Sequence, residues 1–435
     1  MPQNSTLAKT PFLLGLLSGA GGVVAKTLIN TVTIPVLLQT QGADGFGLYV
    51  LLISLLELGL MLELGFDSAI TKLLVELRQL PDKAHYAFML RSAHGLYCVV
   101  ACVVLLAGFA LSATDLSFFH IPANWAKAAQ YGTALIAIEA ALTLYLGYHR
   151  TVLLSHGQLH WTNWGELLSF VLAPGLGLIT LLNGHGIIVY LWIRLAVMIA
   201  RAALVIYQAK RFESSDMRPT LHRESFIRVF KLGVHGMVIN LSVLVSHKID
   251  NLIIAAFLPL KALGVFEIVF RFLGVALRFG SKLCEGLVPV FSQLSGTVDI
   301  APSQTEKQSA KRYFLLMSGL NSLMAGALCL LVVWYYPTLF TWVSRDQISI
   351  EETWPIVWAA VPIVISGTLQ MPATHYLFTS GFHRFLSITS VFAACSNLLL
   401  SILLIKPFGL LGVALGTLIP QLIQHQFFLI RKTCT

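Results

Sequence analysis

The sequence predicts an all-α polytopic membrane protein, with about twelve transmembrane helices in two pseudo-symmetric six-helix lobes around a central cavity. Three observations lead there. Apolar stretches of bilayer length recur from end to end, the basic residues between them alternate in density, and the second half of the chain repeats motifs of the first. Of 435 residues 56% are apolar and only 11% charged, and mean hydropathy is +0.78. A soluble domain carries about 25% charged residues, so that class is excluded.

The stretches fall at about 12–38, 46–66, 86–112, 128–153, 161–182 and 186–209 in the first half, and at about 231–258, 263–290, 313–338, 354–380, 385–405 and 408–430 in the second. The excess of 29 Lys and Arg over 20 Asp and Glu follows a topology and does not point to nucleic acid. The even-numbered connections and the termini hold most of it, including Lys72, Arg78, Arg150, Lys210, Arg211, Arg228 and Lys432, whereas the odd connections hold only Lys127, Lys261, Arg345 and Lys406. By the positive-inside rule both termini are expected in the cytoplasm. A missed span would reverse the bias in every later loop, so the alternation also supports the count.

Span one places Gly22, Lys26, Asn30 and Thr33 on one face. Span two is followed by an amphipathic stretch, Ser68 to Gln79, with Lys72 and Glu76 as an i,i+4 pair. His94, His149, His156, His160 and His383 cluster at the cytoplasmic ends of helices, where interfacial anchors belong. No metal-ligand spacing appears, and the six cysteines read as small apolar fillers. On span six Arg194 and Arg201 share a face and match Glu139 and Glu166 as a structural network. The polar stretch after it divides the chain into an N-terminal lobe (1–209), a cytoplasmic linker (210–230) and a C-terminal lobe (231–435).

Span seven is polar along Asn240, His247 and Asn251, with Lys248 and Asp250 beside them. Span eight carries Glu267, Arg271, Arg278, Lys282 and Glu285 at steps of 4, 7, 4 and 3, which fall within an arc of roughly 60° at about 100° per residue. A charged stripe that narrow is too costly against lipid, so it faces the partner lobe or water. Pairing absorbs part of it: Glu267 with Arg271, Lys282 with Glu285, and Lys248 with its sequence neighbour Asp250. Arg278 and Lys26 have no carboxylate three or four residues away and are the leading substrate contacts, with Asn30, His247, Lys248, Arg271 and Lys282 as the rest of the expected binding set. Arg forks onto an oxyanion where Lys acts as a point charge, so these cations suit an anionic group. The carboxylates Glu57, Asp250 and Glu267 lie within spans and are the expected ion-coupling groups, for H+ or Na+; no other cofactor is expected.

The duplication rests on Phe46-Gly47-Leu48-Tyr49 against Leu263-Gly264-Val265-Phe266, an offset of 217, and on Leu153 to Gly157 against Phe378 to Gly381 and Gly186-Ile-Ile-Val against Gly409-Leu-Leu-Gly, at offsets near 224. Six spans is an even number, so the two halves run parallel, related by an axis along the membrane normal.

The run Gly45-Phe-Gly-Leu-Tyr49, with Leu-Glu-Leu-Gly-Leu and Leu-Gly-Phe-Asp-Ser-Ala-Ile-Thr-Lys72 after it, resembles the first two helices of Wzx-type polysaccharide flippases, members of the multidrug/oligosaccharidyl-lipid/polysaccharide (MOP) exporter superfamily. The resemblance implies export of an undecaprenyl-diphosphate-linked oligosaccharide, an O-antigen or exopolysaccharide unit, across a bacterial inner membrane. It implies a cavity lined by helices one, two, seven and eight, with membrane lipids, a polysaccharide polymerase and a chain-length regulator as partners. A cation-coupled multidrug antiporter of the same superfamily is the alternative, although span one carries Lys26 and no acid. An enzyme of the cell envelope is a more distant one, since the chain has no phosphate loop, zinc motif, nucleophile elbow or large extramembrane segment.

Overall fold

A computed structural model describes residues 9–63, 66–79, 83–213, 219–220, 222–285, 304–344 and 347–424. They form helices α1 (Lys9–Leu60), α2 (Phe66–Gln79), α3 (Lys83–Ser112), α4 (Ala126–Ser155), α5 (Leu159–Leu182), α6 (Ile187–Ala209), α7 (Arg223–Phe257), α8 (Leu260–Glu285), α9 (Gln304–Ser344), α10 (Trp354–Thr379) and α11 (His383–Ile423). Two of these carry two spans each. α1 bends at Gly42 (φ 73°, ψ 179°) and α11 at Gly409 (φ 57°, ψ −134°), where the sequence predicts separate helices. The sharp reversals need no loop because glycine enters backbone regions closed to other residues.

Counting each limb, the N-terminal lobe holds six spans in α1 and α3–α6, and the C-terminal lobe six in α7–α11. Among the described residues, eight stretches are long and apolar enough to cross a membrane. α7 and α8 have the length, but their apolar character is broken by the charges of the predicted stripe. The amphipathic α2 buries Ile70, Leu73, Leu74 and Leu77 and exposes Lys72, Val75 and Glu76, with Lys72 and Glu76 4.0 Å apart.

Equivalent turns match between the lobes. Gly157 after α4 (φ 72°) and Gly381 after α10 (φ 82°) close their helices identically: Gln158 N donates to Leu153 O and Phe382 N to Leu377 O, the six-residue closure that a left-handed residue permits. The weak sequence match across these turns therefore marks one backbone device used twice. At the 217 offset the bend at Gly42 corresponds to Pro259, which separates α7 from α8.

The lobes meet where the second limb of α1 (43–60) packs against α7 and α8. Two equivalent glycines permit it. A Cβ on Gly47 would run into the Leu260 carbonyl oxygen, and one on Gly264 would stand 2.9 Å from Phe46 Cδ1. Around them Leu38, Phe46, Val50, Leu260, Leu263 and Phe266 form a continuous buried seam. Nearer the start of α7, Val229 and Met237 pack against α2 and α3. The chain between α6 and α7 is strapped to the N-terminal lobe: His149 Nδ1 lies 3.0 Å from Glu213 Oε1, Thr220 N donates to Arg91 O at 3.2 Å, and the His222 ring lies 4.3 Å from Phe88.

Candidate functional site

The charged seam begins just beyond the paired glycines. Asn251 on α7 donates to Ser54 on α1 at 2.9 Å, and three residues earlier Lys248 meets Glu57 at 2.5 Å. The residues lie three apart on each helix, so antiparallel helices bring them into register one turn at a time. On α8 Arg271 donates to Glu267 through Nε (3.1 Å) and Nη2 (2.6 Å). One acid–base pair thus joins the lobes and a second lies within α8 beside it, with no net charge between the four groups.

Lys248 pairs across the lobes and not with Asp250, as the sequence suggested. Residues two apart on a helix point about 200° away from each other, so only one of them can face the seam. Asp250 points into its own lobe and is 3% exposed. Thr417 donates to it at 2.7 Å and Ser401 lies at 3.4 Å, both from α11, while Asn397 donates to Thr417 at 2.9 Å. Among the described residues it has no cationic partner.

Further along α8 the pairing stops. Arg278 lies on the same stripe as Glu267 and Arg271, is exposed, and makes one hydrogen bond, from Nη2 to the Arg271 carbonyl at 3.2 Å. The stripe of α8 is thus packed against α1 near Gly264 and exposed at Arg278, about three turns beyond Glu267. The side chains of Lys26, Asn30, His247 and Lys282 lie outside the described residues.

The other intramembrane charges belong to the N-terminal lobe. Arg194 grips Glu139 through Nε (3.0 Å) and Nη2 (2.8 Å), and Arg201 holds Glu166 at 3.2 Å, the latter shared with Arg150 at 3.9 Å. Arg150 also lies 3.8 Å from Asp67 at the start of α2. No group of three or more His, Cys, Asp or Glu able to hold a metal occurs among the described residues. Sequence reasoning missed Ser54, Asn397, Ser401 and Thr417, because single hydroxyls and amides are ordinary in apolar helices. Asn397 and Ser401 do share a face at a spacing of four, which is the one signal present.

A family model described as polysaccharide biosynthesis protein matches residues 13–295. The chain belongs to that family. This family member shares its fold with the lipid II flippase MurJ in an inward closed conformation (TM-score 0.77, 11% identity, covering 96% of this chain and 87% of that one). It is also similar to a MATE family multidrug resistance transporter of the MOP superfamily in an inward-facing conformation (TM-score 0.68, 14% identity, 94% and 93% covered), and to the MATE multidrug transporter DinF-BH (TM-score 0.69, 15% identity, 99% and 95% covered). No curated protein matches the chain by sequence. The fold is the two-lobed one of these transporters, and the chain is a multi-pass membrane protein.

Proposed function

We propose that this member of the polysaccharide biosynthesis family is a flippase that carries an undecaprenyl-diphosphate-linked oligosaccharide from the cytoplasmic to the periplasmic leaflet of a bacterial inner membrane. One observation carries the reading. On the seam face of α8 the acid–base pairs end at Arg271, and Arg278 beyond them is an exposed guanidinium with no carboxylate partner among the described residues. A diphosphate crosses hydrocarbon only if its charge is met by cations, and a guanidinium offers it two parallel hydrogen bonds. The polyprenyl tail stays in lipid while the headgroup passes between the lobes.

The basic loops face the cytoplasm, and both termini with them. Gly47, Gly264 and the pairs Ser54–Asn251 and Glu57–Lys248 then close the periplasmic half, while Arg278 lies on the open cytoplasmic half. Headgroup entry from the cytoplasm brings the phosphates to Arg278, with Lys26, Asn30, His247 and Lys282 as the further contacts. Rocking of one lobe against the other parts Glu57 from Lys248, leaving Lys248 free to escort the phosphates outward beside Arg271, which stays paired with Glu267 on α8. Asp250 takes the coupling ion, H+ or Na+, in its cage of Thr417, Ser401 and Asn397 oxygens. One elementary charge crossing 100 mV supplies about 2.3 kcal/mol to the cycle. A polymerase and a chain-length regulator act on the exported unit. The antiporter reading fits less well, since an exposed Arg278 repels a cationic drug.

In a strain whose surface polysaccharide depends on this protein, Arg278→Ala and Lys26→Ala are expected to abolish the polymer at unchanged protein level, with Arg278→Lys partly active. Full polymer in Arg278→Ala removes that side chain from the pathway and the proposal with it.

A further inference from the structure

The C-terminal lobe contains a cavity of its own. About 220 Å³ of space lies between α7, α8, α10 and the two limbs of α11, every wall belonging to one lobe. At one end are Asn397 and Thr417, the residues that hold Asp250. At the other are Gln370, Gln424 and Ser390: Gln370 Nε2 donates to Gln424 Oε1 at 3.2 Å, and Gln424 Nε2 to Ser390 Oγ at 3.5 Å.

Three features define what the cavity is for. Polar side chains stand at both of its ends, Gln370, Gln424 and Ser390 bonded to one another at the outer one, with Leu277, Ile363, Met371 and Ala393 in the wall between. It has room for several water molecules at ~30 Å³ each. It also leads somewhere. Gln424 caps α11 and Thr374 lies in the last turns of α10, so its outer end lies at the face of the lobe where α10 stops and α11 starts. Its inner end stops at Asp250, which its own helix screens from the seam.

We infer that this cavity is the passage by which the coupling cation and its water leave Asp250 for the cytoplasm, separate from the seam that carries the headgroup, with the Gln370–Gln424 pair as its constriction. The inference rests on the reading of Asp250 as the coupling group. A separate passage has a physical advantage: a cation sharing the seam with a diphosphate binds the diphosphate, whereas one in the C-terminal lobe is exchanged while the cargo is in place. Along the passage Asn and Gln carbonyls and the hydroxyls of Ser390 and Thr417 replace hydration oxygens, as carbonyls do in ion filters.

The test uses the full chain in proteoliposomes, its native cysteines replaced, with uptake of radioactive Na+ and the signal of an entrapped pH dye read under imposed gradients. Three variants are compared: Asp250→Asn, Gln424→Leu, and Thr374→Cys before and after a membrane-impermeant cationic thiosulfonate is added from the cytoplasmic face. The expected result is that Asp250→Asn abolishes ion-driven flux, while Gln424→Leu and modified Thr374→Cys slow it by at least ~10-fold. Ion-induced thermal stabilisation is expected to stay within about twofold of the parent in both, because Asp250 is intact. The thiol is modified after folding, so a misfolded Gln424→Leu does not decide the matter. Flux lost in Asp250→Asn but unchanged in modified Thr374→Cys overturns the passage and leaves the coupling reading standing. Flux unchanged in Asp250→Asn overturns both.

Discussion

Glu139 and Lys248 each sit in an ion pair within the membrane, yet their surroundings give the pairs different work. Arg194 and Glu139 are held by a three-bond fork inside one lobe, the glutamate only 10% exposed, whereas Lys248 and Glu57 bridge the lobes at 30% and 36% exposure. Breaking a buried pair strands a charge and costs about 3–5 kcal/mol, while a half-exposed pair contributes about 1 kcal/mol or less. Only the second kind can open and close in a transport cycle. Arg194→Ala is therefore expected to lower thermal stability in detergent by about 3 kcal/mol, with Arg194→Met combined with Glu139→Leu recovering most of it. Lys248→Ala is expected to cost less than about 1 kcal/mol in the same assay but to stop transport, and Lys248→Glu combined with Glu57→Lys restores the attraction and part of the transport. Equal destabilisation by the two single variants contradicts this division of labour.

Helix approach at the seam is set by two glycines. At Gly47 a methyl group would meet the Leu260 backbone, which cannot swing aside as a side chain can. Gly47→Val is expected to push α1 from α8, lowering transport and weakening cross-lobe contacts. Gly319 and Gly326 on α9 have open space where a Cβ would go, so alanine there is expected to leave transport intact and add about 0.5–1 kcal/mol of helix stability. Thermal unfolding and transport measured side by side separate the outcomes. Glu213, Thr220 and His222 are held to α3 and α4, so rotation of the C-terminal lobe is expected to be absorbed after His222, within α7.

For the whole molecule, the seam is closed near the α7–α8 turn while Arg278 near the end of α8 is exposed, as the proposed rocking requires of one end of the seam. Ser54 and Asn251 touch across it at 2.9 Å. In a cysteine-free background, Ser54→Cys with Asn251→Cys joined by a short bifunctional thiol reagent is expected to arrest transport, and a cleavable reagent to restore it on reduction. Undiminished transport in the joined protein is incompatible with alternating access at this seam.

Much of this fold was legible in the order of residues, because a membrane constrains what a chain can do. Backbone groups in hydrocarbon must be satisfied within the helix, so bilayer-length apolar runs are helices, and basic loops fix their direction. The repeat was legible through Gly157 and Gly381, whose left-handed backbone leaves few residue choices. The pairing of charges was not. Glu267 with Arg271 follows from a spacing of four along one helix, but Glu57 with Lys248 joins different lobes, and Asp250 meets Thr417 across 167 residues. Sequence proximity misled at Lys248 and Asp250 because helical rotation turns near neighbours to opposite faces. Local periodicity and the bilayer thus determined the helices, their number and their polar stripes from the sequence alone. Which stripe faces which was decided only by tertiary packing, since two close-packed lobes select their partners by shape and charge over distances that no local pattern records.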